Sequence, residues 1–186
     1  MFIQTETTPN PATLKFLPGR AVLNTGTRDF RDAGQAAAAS PLAGRLFEVE
    51  GVTGVFLGSD FVSVTKGDGE WQHLKPAVLG AIMEHFLSGE PVLFAGNGAG
   101  GAADEDFDPK DAEVVEMIKE LIETRVRPAV ANDGGDIIFR GYRAGTVYLK
   151  MQGACSGCPS STATLRHGIE NLLKHFVPEV EAVQPV

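Results

Sequence analysis

The spacing of apolar and polar positions divides the chain into two blocks, each mixing strand-like and helix-like periods. In the first block, residues 2–6 and 14–17 read as strands, parted by Thr8-Pro9-Asn10-Pro11 and closed by Pro18-Gly19. Ser40 followed by Pro41 is a helix start signal for residues 42–48, with the hydroxyl as cap and proline at the first helical position. Residues 52–57 and 61–65 pair as a hairpin across Gly58-Ser59-Asp60. Val78, Leu79, Ile82, Met83 and Phe86 recur at helical spacing and predict an amphipathic helix over 76–87.

The second block opens with a helix over 110–124 whose inner stripe is Val114, Val115, Ile118, Leu121 and Ile122. Arg127-Pro128 and Asn132-Asp133-Gly134-Gly135 interrupt that pattern. Residues 136–142 and 146–151 form a hairpin across Arg143-Ala144-Gly145. A last helix covers 160–176, with Leu165, Ile169, Leu172, Leu173 and Phe176 on one side. Pro178 ends it, and residues 180–183 add an edge strand, giving the order α-β-β-α-β. Between the blocks the chain is first glycine-rich and then acidic, with almost nothing to bury, which is the composition of a flexible linker. The expectation is α+β: two small two-layer α/β domains, at 1–93 and 110–186, joined by a linker at 94–109.

Composition narrows the function. The chain carries a net charge of −8, and both halves are negative, so neither has the basic footprint that nucleic acid requires. No apolar run is long enough to span a bilayer. The first residues show neither a signal-peptide core nor a basic transit segment, so the expectation is a cytoplasmic, bacterial-type protein, or a mitochondrial matrix protein whose presequence has been removed. No Ser–His–Asp set or paired carboxylates can be argued from spacing, and no enzyme activity is expected.

The chain has two cysteines, Cys155 and Cys158, in Gly153-Ala154-Cys155-Ser156-Gly157-Cys158-Pro159-Ser160-Ser161, where a strand ends and a helix begins. A two-residue gap lets both sulfurs face one centre. Tetrahedral thiolate sites and iron–sulfur clusters take four sulfurs, so a second copy is the simplest source of the other two. Gly153 and Gly157 free the backbone to turn tightly. Pro159 presets the first helical turn, and Ser160, Ser161 and Thr162 are placed to satisfy its free donors. The positive helix end is expected to favour thiolate over thiol. On the residues alone three readings stay open: an iron–sulfur cluster, a structural zinc bridging two chains, and a thioredoxin-like dithiol pair. The last has room for only one helix and one short strand after Cys158.

Other residues carry blander expectations. Asp133-Gly134-Gly135-Asp136 reads as a turn whose glycines take positive φ before a strand. His73, His85, His167 and His175 read as solvated helix residues. Arg125 and Arg127 read as charges at a helix C-terminus, with steering of an anionic cluster as the alternative. Phe61 and Trp71 read as packing residues.

The run Arg127-Pro128-Ala129-Val130-Ala131-Asn132-Asp133-Gly134-Gly135-Asp136, with the thiol segment after it, resembles the C-terminal NifU-like domain of iron–sulfur scaffold proteins. The opening Gln4-Thr5-Glu6-Thr7-Thr8-Pro9-Asn10-Pro11-Ala12-Thr13-Leu14-Lys15-Phe16 is similar to the N-terminal domain of the Nfu type. The resemblance implies an iron–sulfur cluster carrier, with Cys155 and Cys158 as ligands. It implies a 4Fe–4S cluster held between two copies, 2Fe–2S or zinc being the alternatives. The implied partners are upstream cluster-assembly proteins and apo iron–sulfur proteins as acceptors.

Overall fold

The computed structural model describes residues 1–95, 105–156 and 159–186, with backbone alone at 159–161. The chain divides into two compact units, Met1–Gly100 and Gly101–Val186. The middle of the expected linker, 96–104, lies outside the described residues.

Among the described residues, the first unit is a five-stranded antiparallel sheet and three helices. Its strands are β1 (Gln4–Thr7), β2 (Thr13–Leu17), β3 (Arg28–Phe30), β4 (Val52–Leu57) and β5 (Val62–Lys66), in the order β1-β2-β5-β4-β3. Alternate side chains Phe16, Val55, Leu57, Val62 and Val64 join Leu42, Ala43, Leu46, Val78 and Ile82 in one buried cluster. Those last residues belong to α2 (Pro41–Phe47) and α3 (Trp71–Ser88). Complete burial of a side chain such as Leu42 or Leu46 contributes about 2 kcal/mol. Ser40 caps α2 as expected, accepting from the Ala43 amide at 3.0 Å, and its hydroxyl also donates to the Val92 carbonyl at 2.5 Å.

Helix α3 starts five residues before the expected Pro76. Leu74 is buried, and the Trp71 indole donates to the Pro11 carbonyl at 3.2 Å, so burial and anchoring outweigh the proline in the interior. Helix α1 (Ala33–Ala39) and strand β3 have no counterpart in the sequence pattern: one is mostly alanine, the other three residues long. The unit also continues past 93. Val92 and Leu93 pack on the core, and the Phe94 amide donates to the Ala39 carbonyl at 3.0 Å.

The second unit has a four-stranded mixed sheet, β6 (Asp106–Phe107), β7 (Gly135–Arg143), β8 (Thr146–Gly153) and β9 (Ala182–Pro185), in that order. The central hairpin is antiparallel and both outer strands run parallel to their neighbours. Strand β6 corrects the linker boundary: residues 106–109 are structured, since Asp106 and Phe107 pair with Gly141 and Tyr142 and a 3₁₀ turn follows at Pro109–Asp111. Glycine at 141 permits this, because a Cβ there would stand 2.6 Å from the Asp106 carbonyl oxygen.

The helical segment after it does not stop near Thr124. Helix α4 (Ala112–Leu121) passes through a π turn (Ile122–Val126) into α5 (Arg127–Asn132). The Arg127 amide bonds to Ile122, five residues back. Pro128 lacks an N–H and its ring crowds the preceding turn, and a one-residue widening just before it absorbs both effects. Val115, Ile118, Ile122, Val126 and Val130 line one core with Ile137, Phe139, Val147, Leu149 and Met151, joined by Ile169 and Leu173 of α6 (Pro159–Phe176). A bulge between Phe139 and Gly141 resets the alternation, so Tyr142 also faces this core. Among the described residues, no helix is long and apolar enough to cross a membrane.

Candidate metal centre

Cys155 stands at the junction of β8 and α6, the position expected from the sequence; Cys158 lies outside the described residues. Gly134 and Gly153 both take positive φ, 78° and 66°, and turn the chain just before β7 and at the end of β8, at the open end of the hairpin. Gly135 pairs with Gly153, the Ala154 amide donates to the Gly134 carbonyl at 3.3 Å, and the Ser156 amide and hydroxyl both donate to the Gly153 carbonyl. The Thr162 hydroxyl donates to the Cys155 carbonyl at 2.8 Å, tying α6 to the loop. The sequence expected that hydroxyl to satisfy helix amides; instead it holds the backbone of the first thiol. The side chains of Ser160 and Ser161 lie outside the described residues.

The thiol is not poised as the helix dipole alone suggested. Cys155 is 7% exposed, and burial, with Asp133 and Asp136 nearby, pushes its pKa up to about 12. Desolvation and two carboxylates outweigh the partial charge of a helix end. Burial thus favours the protonated thiol, whose proton a thiophilic metal would have to displace.

Asp136 and Arg127 are the residues whose part the sequence reading missed. The Asp136 carboxylate is 4% exposed and accepts a two-pronged pair from Arg127, Nε to Oδ1 at 2.9 Å and Nη2 to Oδ2 at 2.8 Å. Its Oδ1 also accepts from the Ile137 amide. Arg127 further donates to Glu123 at 2.7 Å. Arg127 is thus a structural clamp joining α5 to the start of β7, which corrects its reading as a C-terminal helix charge or a steering cation. The separation of nine residues gave no helical or strand signal for this pair. Arg125 instead lies over the Phe176 ring at 5.1 Å. Gln152, paired with Asp136 across the hairpin, buries an Oε1 without a partner among the described residues.

The turn reading of Asp133-Gly134-Gly135-Asp136 needs one amendment. Gly134 has positive φ, whereas Gly135 opens β7 and is glycine for space. Of the histidines, His73, His167 and His175 are exposed as expected. His85 is not: it is fully buried in the first unit, with no hydrogen-bond partner for either ring nitrogen among the described residues. Phe61 is buried and Trp71 packs against the core. Among the described residues, no three His, Cys, Asp or Glu side chains converge as a metal site. The donor set in view is one soft sulfur at a glycine-lined turn, which suits a thiophilic metal centre completed from elsewhere.

Fold and site together define a two-unit α+β chain whose second unit places Cys155 at a strand–helix junction. Residues 3–89 match the family model described as "Scaffold protein Nfu/NifU N terminal", and residues 118–184 match that of the NifU-like domain. The human "NFU1 iron-sulfur cluster scaffold homolog, mitochondrial" is 51% identical over 188 residues, covering 100% of this chain and 72% of that protein. The protein of the same name from Drosophila sechellia is 55% identical over 188 residues, covering 100% and 65%. "NifU-like protein 4, mitochondrial" from Arabidopsis thaliana is 51% identical over 187 residues, covering 99% and 65%. The chain thus spans about 65% of the length of the fly and plant relatives. It belongs to the Nfu/NifU family of scaffold proteins.

Proposed function

We propose that this chain carries an iron–sulfur cluster between two copies of itself, each contributing Cys155 and Cys158, and passes it to apo-proteins. The observation that carries the reading is Cys155 at the β8–α6 junction, with Cys158 following it in sequence after a two-residue gap and no other cysteine in the sequence. Four thiolates complete a cluster, so two copies supply one set. The relatives named as iron–sulfur cluster scaffolds support the cargo. The cluster is a 4Fe–4S cargo. It arrives from upstream assembly proteins and leaves by ligand exchange, so no substrate bond is turned over. The working place proposed is the mitochondrial matrix, in keeping with the relatives named mitochondrial; the cytoplasmic expectation gains no support from them.

Anaerobic reconstitution with iron and sulfide tests the proposal. The expected result is a brown dimer with about four iron per two chains that activates an apo-acceptor. Cys155→Ser should abolish both colour and dimer. A colourless dimer holding zinc, or a monomer cycling a disulfide, would reject the reading.

A further inference from the structure

The Cys155 sulfur rests where Gly135 has no side chain. A Cβ on Gly135 would stand 2.8 Å from Cys155 Sγ, 3.2 Å from the Cys155 amide nitrogen and 2.7 Å from the Gln152 carbonyl oxygen. The distances to the sulfur and to the carbonyl oxygen are shorter than real Cβ contacts, so a side chain on the first residue of β7 would force one of these neighbours to shift. We propose that Gly135 is a positioning residue: its bare backbone makes a socket that shelters the Cys155 sulfur when no cluster is bound, and the sulfur leaves this socket to bind the cluster and returns on release. The inference rests on the carrier reading for its purpose, and on the close packing of Gly135 and Cys155 for its geometry.

Three neighbours keep the socket in shape. Gly153 faces Gly135 across the hairpin, Thr162 holds the Cys155 carbonyl, and the Arg127–Asp136 pair anchors the next residue of β7. A cysteine that is 7% exposed must turn its sulfur outward to ligate a cluster shared with a second molecule. Whatever stabilises the inward position therefore stabilises the emptied carrier relative to the loaded one, and favours hand-over. On release, the iron–sulfur bond to Cys155 is replaced by one to an acceptor thiolate. The freed Cys155 sulfur takes a proton from water as it re-enters the socket. No electron changes hands.

The test has two arms. In the full chain carrying Cys158→Ser, Cys155 is the one thiol, and its alkylation by iodoacetamide at neutral pH reports shelter directly. The folded parent should react at least about 100-fold more slowly than the same chain in guanidinium. Gly135→Ala, with native circular dichroism, should react at least about 10-fold faster than the parent. Thr162→Val loosens the loop without adding atoms to the socket and decides by the same criterion if Gly135→Ala does not fold. A parent that labels like the unfolded chain, or a folded variant that labels no faster than the parent, overturns the socket. In the second arm the two-cysteine chain is loaded anaerobically and challenged with an iron chelator. Gly135→Ala should lose cluster about 10-fold more slowly than the unmutated chain; equal rates overturn the link to release. A chain that takes up no iron yet shows the labelling pattern refutes the carrier reading and leaves the socket intact.

Discussion

His85 and Cys155 carry the same lesson with opposite signs. Each is buried, and burial disfavours its charged form: the imidazole pKa is lowered and the thiol pKa raised. For His85 the consequence lies on the acid side. The unfolded chain takes up a proton near pH 6.5 while the folded chain resists it, so stability is full above that value and falls as pH drops below it. The expected slope is about 1.4 kcal/mol per pH unit until the folded-state value is reached. Urea titrations between pH 7 and pH 4 should show a steeper loss for the parent than for His85→Leu. Equal slopes would mean that the buried ring is charged or partnered in solution. Arg127 shows the complementary case, a charge kept because two carboxylates face it. Its guanidinium pKa is raised, first by the Asp136 hydrogen bonds.

At the scale of elements, the π turn and the β7–β8 hairpin place the site. The widened turn at Ile122–Val126 lets the helical segment run on through Pro128 and bring Arg127 to Asp136. The hairpin turns through Ala144 and Gly145, both at positive φ (47° and 81°), the two-residue geometry that suits the right-handed twist of its strands. An L-residue other than asparagine or aspartate is uncomfortable at the first of these positions. Ala144→Asn is expected to stabilise the unit by about 0.5–1 kcal/mol, read as a rise in denaturation midpoint at unchanged m-value. A fall would show that Ala144 makes a contact more valuable than the relief of strain. Gly145 would not tolerate the same change, since a Cβ there meets Glu181 Cγ at 2.8 Å.

For the whole molecule, the small core of the second unit and its incomplete sulfur set point the same way. A ligand that binds only the folded, paired state stabilises it by mass action. Thermal unfolding of the reconstituted chain should therefore become concentration-dependent and shift upward, whereas the iron-free chain should melt at a midpoint independent of its concentration. Adding a chelator should return the first behaviour to the second. A loaded sample whose midpoint ignores protein concentration would argue that one chain holds its iron alone.

Much of the fold was legible because local pattern carried it. The strands flanking Gly58-Ser59-Asp60, the cap at Ser40, the stripe of α4, that of α6 from Leu165 to Leu173 (Phe176 is exposed) and the hairpin around Gly145 all follow from periodicity or turn chemistry. Helix α1 and strands β3 and β6 were hidden because alanine runs and two- or three-residue strands have no period to read. The start of α3 and the continuation through Pro128 were hidden because tertiary burial overrode a local breaker.

The sequence alone determined the two-block α+β organisation and the position of Cys155 at a strand–helix junction. Spacing along the chain is enough for both, since they depend on residues close together in sequence. Tertiary structure alone decided that Cys155 lies inward against Gly135, that Arg127 clamps Asp136, and that His85 is sealed in a core. Those facts depend on desolvation and on contacts between residues distant in sequence, or reached only around a turn, and no periodic pattern encodes them.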